Sequence, residues 1–166
     1  FEAQNYTITV VKPGYSPSIV LIDNQTVMSG TRTTTILDSD RGKTKTVKVQ
    51  VQAQDGTKGQ EYTIELEFDA PSQNASLSDL TADGVTVPGF TPEDQGGTYT
   101  LSPRSYDTET IEIGYKTSDS KATVVGDIGT QKLIEGVNTF VIVVTSESGT
   151  AYTYRIVVQR DYRAPY

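Results

Sequence analysis

The chain contains no cysteine, no histidine and no tryptophan among its 166 residues. Without cysteine, disulfides, thiolate metal sites and cysteine nucleophiles are excluded. Without histidine, the chain lacks the side chain that titrates nearest to neutral pH, and with it a Ser-His-Asp triad and the commonest transition-metal ligand. The composition therefore favours a protein that is not an enzyme, with no catalytic, cofactor-binding or metal-binding residues.

Long apolar runs and basic clusters are missing as well. No stretch of 18 or more apolar residues occurs, so we expect no membrane insertion. Lysine and arginine number 14 against 21 aspartates and glutamates, which gives a net charge of −7. Because an acidic surface repels phosphate backbones and anionic lipids, we expect no nucleic-acid partner, and we interpret the charge as favouring solubility.

Short segments of alternating polarity make up most of the chain. Four residues face one way along one such segment: Val47, Val49, Val51 and Ala53. After a turn predicted at Asp55-Gly56, four more are predicted to face inward: Tyr62, Ile64, Leu66 and Phe68. A period of two is typical of half-buried strands, and no segment shows a helical period. The predicted fold class is therefore all-β, built from Ig-like sandwiches.

The hairpin pattern recurs 93 positions later. Gly56 aligns with Gly149, and Tyr6 aligns with Tyr99 at the same separation. Residues 26–30 also resemble 123–126. In the second hairpin, residues 140–144 are apolar on both faces, which predicts a central or doubly covered strand. Its return strand is predicted to face the core with Tyr152, Tyr154, Ile156 and Val158. We therefore predict two tandem sandwiches, residues 1–70 and 71–166.

The first copy is shorter than the second. At an offset of 93, Phe1 corresponds to Asp94, so the counterpart of residues 77–93, including the opening strand, is missing. Losing two anchors such as Leu77 and Leu80 removes roughly 3–6 kcal/mol of burial energy. Three explanations are open: the end of the sequence cuts the domain, another strand of the chain compensates, or a neighbouring subunit donates a strand.

Ten tyrosines are the main aromatic residues. Most lie on strand patterns and are predicted to be in or near the core: Tyr6, Tyr62, Tyr99, Tyr152 and Tyr154. Four others are candidates for stacking on sugar rings: Tyr15, Tyr106, Tyr115 and Tyr162. Three asparagines lie in glycosylation sequons and are candidate glycan acceptors: Asn5, Asn24 and Asn74.

Three pairs of acids are candidates for glycosidase carboxylates: Asp38 with Asp40, Glu93 with Asp94, and Glu109 with Glu112. The first pair also suggests a calcium-binding loop. Glycoside hydrolysis needs two carboxyl groups about 5–10 Å apart, which proximity in sequence does not establish. Residues 38–42 also lack the later acidic ligands of a calcium-binding loop. We interpret all three pairs as acids of turns or wet faces.

The order of motifs resembles a known family. Residues 75–84 are followed by Phe90-Thr91-Pro92, Tyr99-Thr100-Leu101 and residues 133–139, and then by the Gly149-Thr150 turn. This order is similar to that of the cadherin-like β-sandwich domain, which occurs in tandem on bacterial secreted and cell-surface proteins. The resemblance covers about 75–160 well and about 6–68 more loosely.

The resemblance implies a non-catalytic extracellular or cell-surface module. Its expected role is structural or adhesive, as a spacer, surface-layer or filament subunit that contacts proteins through β edges and loops or self-associates by strand addition. The alternative is an accessory carbohydrate-binding module of a secreted polysaccharide-active protein. The resemblance does not imply calcium binding.

Overall fold

A computed structural model describes residues 4–11, 19–27, 31–92 and 94–163. In these residues the regular structure is β-strand apart from one short 3-10 turn, Asp38–Asp40, which confirms the all-β class. No helix within these ranges is long and apolar enough to cross a membrane. The chain divides into two compact units, Phe1–Pro71 and Ser72–Tyr166, described here as the first and second unit.

The first unit has six strands in its described part: β1 Gln4–Thr9, β2 Ile19–Ile22, β3 Gln25–Val27, β4 Thr31–Ile36, β5 Thr44–Gln52 and β6 Lys58–Glu67. They form an antiparallel four-stranded sheet in the order β3-β2-β5-β6 and a two-stranded sheet of β1 and β4. Within the described part of this unit, the buried core is small and consists of Val20, Ile22, Val47 and Val49.

The second unit has eight strands in its described part: β7 Leu77–Ala82, β8 Val85–Thr86, β9 Gly97–Thr100, β10 Thr110–Thr117, β11 Thr123–Gly126, β12 Gly129–Lys132, β13 Gly136–Thr145 and β14 Ala151–Arg160. They form two four-stranded sheets, β12-β10-β7-β8 and β11-β13-β14-β9. Both sheets contribute to one core, from Leu80 and Ile113 in the first sheet to Ile142 and Ile156 in the second. This unit is a β-sandwich.

The predicted alternation is confirmed in the second hairpin. β13 lies between β11 and β14, as the central position predicted for residues 140–144 requires. On β14, Tyr154, Ile156 and Val158 are buried, and Tyr152 is partly buried against the same core.

The predicted burial is only partly right in the first hairpin. Val47 and Val49 are buried, but Val51 is half-buried and Ala53 is exposed. On the return strand, Leu66 and Phe68 are half-buried, whereas Tyr62 and Ile64 are 59% and 37% exposed. The prediction that Tyr62 and Ile64 face the core is therefore wrong. Their alternation is regular, but no described strand lies on the outer side of β6 to cover them.

The two hairpins share one framework. β2 pairs with β5 from Ile19↔Gln52 to Ile22↔Val49, and β11 pairs with β13 from Thr123↔Thr145 to Gly126↔Ile142. Every partner on β5 lies 93 positions before its counterpart on β13. The counterpart of residues 123–126 is therefore β2, and the match predicted with residues 26–30 is wrong. Short runs of Thr, Val and Gly are too common to fix an alignment, whereas hydrogen-bonded register does so.

The turns of the two hairpins also correspond. The amide of Ala53 donates to the carbonyl of Thr57 at 2.8 Å, and the amide of Ser146 donates to the carbonyl of Thr150 at 2.8 Å. Gly56 and Gly149 lie inside these turns with φ of 88° and 91°. A positive φ costs glycine little because it has no Cβ. The two glycines aligned by sequence therefore occupy the same place in the same turn.

Candidate functional site

The outer side of β6 is the candidate site, and residues 61–67 are called the β6 edge below. β6 is the last strand of its sheet, and β5 is its only described neighbour. β14 takes the same place in the second hairpin, but it lies between β13 and β9. The two hairpins thus differ in whether a third strand covers the return strand.

Pairing across each hairpin aligns the two return strands residue by residue. Tyr62 lies opposite Val49, and Tyr154 lies opposite Ile142, the counterpart of Val49. The inward rows are therefore Tyr62, Ile64 and Leu66 on β6, and Tyr154, Ile156 and Val158 on β14. All three residues of the β14 row are 0% exposed, whereas Tyr62 is 59% exposed.

β9 shows how a strand covers this position. It runs parallel to β14, from Gly97 beside Tyr154 to Thr100 beside Val157. The amide of Leu101 donates to the carbonyl of Val157 at 2.8 Å, so the backbone polar groups of Val157 point away from β13, toward the β9 side. Because backbone direction alternates along a strand, the counterparts Thr63, Glu65 and Glu67 direct their amides and carbonyls away from β5. No described strand pairs with these groups, so they form a row of the kind that serves as a template for strand addition.

Side chains give the β6 edge two different faces. One face carries the apolar row of Tyr62, Ile64 and Leu66. The other face carries Glu61, Glu65 and Glu67. Glu61 accepts a hydrogen bond from Lys48 at 2.7 Å, and this bond and the charge of Glu61 raise the pKa of Lys48. The exposure of that pair limits its contribution to stability.

β1 does not cover the β6 edge in this structure. It pairs with β4 over six residues, and side chains support that pairing: Thr35 donates to Asn5 at 2.8 Å, and Thr7 and Thr33 share a hydrogen bond of 3.0 Å. The buried hydroxyl of Tyr6 has no hydrogen-bond partner in the described structure. β1 pairs antiparallel with β4 as β10 pairs antiparallel with β12, whereas β9 runs parallel to β14, so the predicted match of Tyr6 with Tyr99 is wrong.

The tyrosines predicted to contact glycans lie in different settings. Arg160 and Arg163 place their guanidinium groups 5.1 and 5.9 Å from the ring centre of Tyr106, on the surface that a sugar would use. Tyr115 lies on β10 and is 38% exposed, and Tyr162 is 68% exposed. Tyr15 lies outside the described residues. Glycan contact stays a prediction.

The three sequon asparagines, Asn5, Asn24 and Asn74, are exposed. Asn5 lies on β1, Asn24 follows β2 with φ of 61°, and Asn74 accepts a hydrogen bond from the amide of Ser76 at 2.9 Å. Exposure is required of a glycan acceptor but does not show modification, so glycosylation also stays a prediction.

The paired acids hold local structure. Asp40 accepts from the amide of Leu37 at 2.9 Å, Asp94 accepts from the hydroxyl of Thr91 at 2.6 Å, and Glu112 accepts from Thr130 at 2.6 Å. Glu93 lies outside the described residues. Across the described part of the chain, no group of three acidic side chains is placed to hold a metal ion.

Comparison with known proteins adds little. No protein-family profile matches the chain, and no curated protein matches it. Among solved structures, the chain is similar to fibronectin(III)-like modules of CbhA from Clostridium thermocellum, with 11% identity over 98% of this chain and 91% of that chain and a TM-score of 0.28. A likeness this slight assigns no function, and the resemblance to cadherin-like domains stays a prediction.

Proposed function

We propose that the chain is a non-enzymatic extracellular module that makes protein contacts by accepting an extended segment at the β6 edge. The observation that carries this proposal is the pair of hairpins. Their third strands pair in the same register, yet β9 covers β14 while the β6 edge has no described cover. Strand addition to an open edge is a common mode of peptide recognition, in which the backbone supplies affinity.

The pairing of β9 and the acidic face of the β6 edge together indicate which segment would bind there. The segment runs parallel to β6, as β9 runs parallel to β14. Its apolar side chains alternate, so that they lie beside Tyr62, Ile64 and Leu66. Its remaining side chains are neutral or basic, because acidic side chains beside Glu65 and Glu67 would be repelled.

Residues 95–103 of this chain, Gln-Gly-Gly-Thr-Tyr-Thr-Leu-Ser-Pro, have this pattern and serve as a test peptide. The labelled peptide is titrated against the full chain, and saturable binding is expected. Glu65→Pro removes one outward amide and leaves the β5 pairing intact, so it is expected to weaken binding about tenfold, or about 1.4 kcal/mol. Ile64→Glu places a charge in the apolar row and is expected to weaken binding without altering the backbone.

The matched control is the same peptide with serine replacing its tyrosine and its leucine, which is expected not to bind. Circular dichroism checks that both variant chains keep their strand content. Saturable binding that is equal in the parent chain and in both folded variants would place the peptide elsewhere and contradict the proposal. Absence of binding at millimolar peptide would also contradict it.

A further inference from the structure

We infer that the partner bound at the β6 edge is a single segment with two strands, the first of which pairs with β1 in the facing sheet. This inference rests on the proposed function and names the form of the ligand. The segment would do for the first unit what residues 77–100 do for the second, where one continuous run of chain supplies both β7 and β9. In this chain those residues belong to the second unit, so the segment belongs to a partner protein.

β1 and β4 of the first unit correspond to β10 and β12 of the second. Both pairs are antiparallel. Aligning residues 36–37 with residues 133–134 sets Ile8 in the place of Ile113. Ile113 is buried in the second core, and Ile8 packs against the first. The correspondence therefore holds both in register and in the face that each strand presents to its core.

The place of β7 beside β1 is open in the described part of the first unit. β10 lies between β12 and β7, whereas β4 is the only described neighbour of β1. Asp83, directly after β7, bonds both backbone groups of Glu112, so these groups point toward β7. Because backbone direction alternates along a strand, Thr7, the counterpart of Glu112, and Thr9 direct their amides and carbonyls away from β4. The open rows on β1 and β6 are thus the places that β7 and β9 fill in the second unit.

The exposed apolar row on β6 is the surface that the first strand of the segment would cover. In the second unit, Leu77 and Leu80 of β7 share a core with Tyr154, which is fully buried. Its counterpart Tyr62 and the next inward residue, Ile64, are both exposed. Apolar side chains in the places of Leu77 and Leu80 would remove this surface from water, which stabilises the bound segment.

The hydroxyl of Tyr154 bonds to two distant parts of the segment in the second unit. It accepts from the amide of Leu77, where β7 begins, at 3.2 Å, and it donates to the carbonyl of Asp94, in the loop before β9, at 2.6 Å. Tyr62 carries the same hydroxyl at the corresponding place on β6. Tyr62 is therefore a specificity-determining residue for a segment that carries both strands.

Two peptides of this chain's own sequence, titrated against the full chain, test the inference. Residues 75–103 carry both strands, and residues 95–103 carry only the second. The longer peptide is expected to bind at least about tenfold more tightly, because two linked strands bind as one ligand. Its matched control carries Leu77→Ser and Leu80→Ser and is expected to bind only as tightly as residues 95–103.

Two variants of the chain separate the contributions of the two strands. Thr9→Pro removes an outward amide of β1, and Tyr62→Phe removes the hydroxyl. Each variant is expected to weaken the binding of residues 75–103 about tenfold, through lost hydrogen bonds, and to leave the binding of residues 95–103 unchanged. Circular dichroism checks that both variants keep their strand content.

Two outcomes would overturn the inference. Equal affinities for residues 75–103 and for their serine control would mean that the first strand contributes nothing. Binding of residues 75–103 that both variants leave unchanged would place the first strand elsewhere. Residues 95–103 still test the β6 edge alone, so the proposed function survives or fails by a separate measurement.

Discussion

The exposure of a side chain depends on the strands around it, as Tyr62 and Tyr154 show. They occupy corresponding places in two hairpins, yet Tyr62 is 59% exposed and Tyr154 is 0% exposed. The Tyr154 hydroxyl donates to the carbonyl of Asp94 at 2.6 Å and accepts from the amide of Leu77 at 3.2 Å. It thus joins the start of β7 to the loop before β9.

Tyr154→Phe is expected to destabilise the second unit. The change removes both hydrogen bonds and leaves the buried amide of Leu77 and the partly buried carbonyl of Asp94 without that partner, at a cost of about 1–3 kcal/mol. Chemical denaturation, with the transition of residues 72–166 located by hydrogen exchange, measures the loss.

Tyr152→Phe is the matched control, because Tyr152 lies on the same strand and is only partly buried. Its effect is expected to stay within about 0.5 kcal/mol. Equal losses in the two variants would mean that the Tyr154 hydroxyl has no special role.

At the scale of elements, three of the described aspartates hydrogen-bond to the neighbouring strand at the end of a strand pair. The amide of Asp127 donates to the carbonyl of Val141 at 2.9 Å, and its carboxylate accepts from the Val141 amide at 2.8 Å. Asp23 bonds both backbone groups of Lys48, and Asp83 bonds both backbone groups of Glu112. Each aspartate follows the last paired residue of its own strand, and its amide and carboxylate provide the last two hydrogen bonds to the partner strand.

Asp127→Ala is expected to weaken the β11–β13 pairing, because the partly buried Val141 amide loses its acceptor. The expected loss is about 1–2 kcal/mol of unfolding free energy, with faster hydrogen exchange at the Val141 amide. Asp127→Asn keeps an acceptor oxygen and is expected to retain most of the stability. If the asparagine and alanine variants lose the same amount, the side-chain bond is not what holds the strand end.

At the scale of the whole molecule, the two units have very different cores. Among the described residues, four buried hydrophobic residues form the core of the first unit, whereas sixteen form that of the second. Since burial of a large apolar side chain contributes about 1.5–3 kcal/mol, the first unit is expected to unfold at lower denaturant.

A fragment of residues 72–166 is therefore expected to unfold cooperatively by itself. Hydrogen exchange under denaturant is expected to release β2, β5 and β6 in the full chain before β13 and β14. Loss of protection in both units at the same denaturant concentration would contradict this order.

The sequence by itself determined the all-β class, both hairpins and the inward face of β14. Alternating polarity and turn glycines are local properties, so reading along the chain was enough. The same reading placed Tyr62 and Ile64 in a core and chose residues 26–30 as the counterpart of 123–126, and both were wrong.

Only the tertiary structure decided which strands are covered and which are open. β6 and β14 carry the same alternation, but the row on β14 is buried against residues of the facing sheet such as Leu77 and Leu80, and β14 is also flanked by β9, which lies 57 positions earlier in sequence. Likewise, the register of β2 on β5 shows that β2 corresponds to β11, whereas the sequence of β2 does not show it. Pattern fixes the face that a side chain takes, whereas contacts between distant segments decide whether that face meets protein or water.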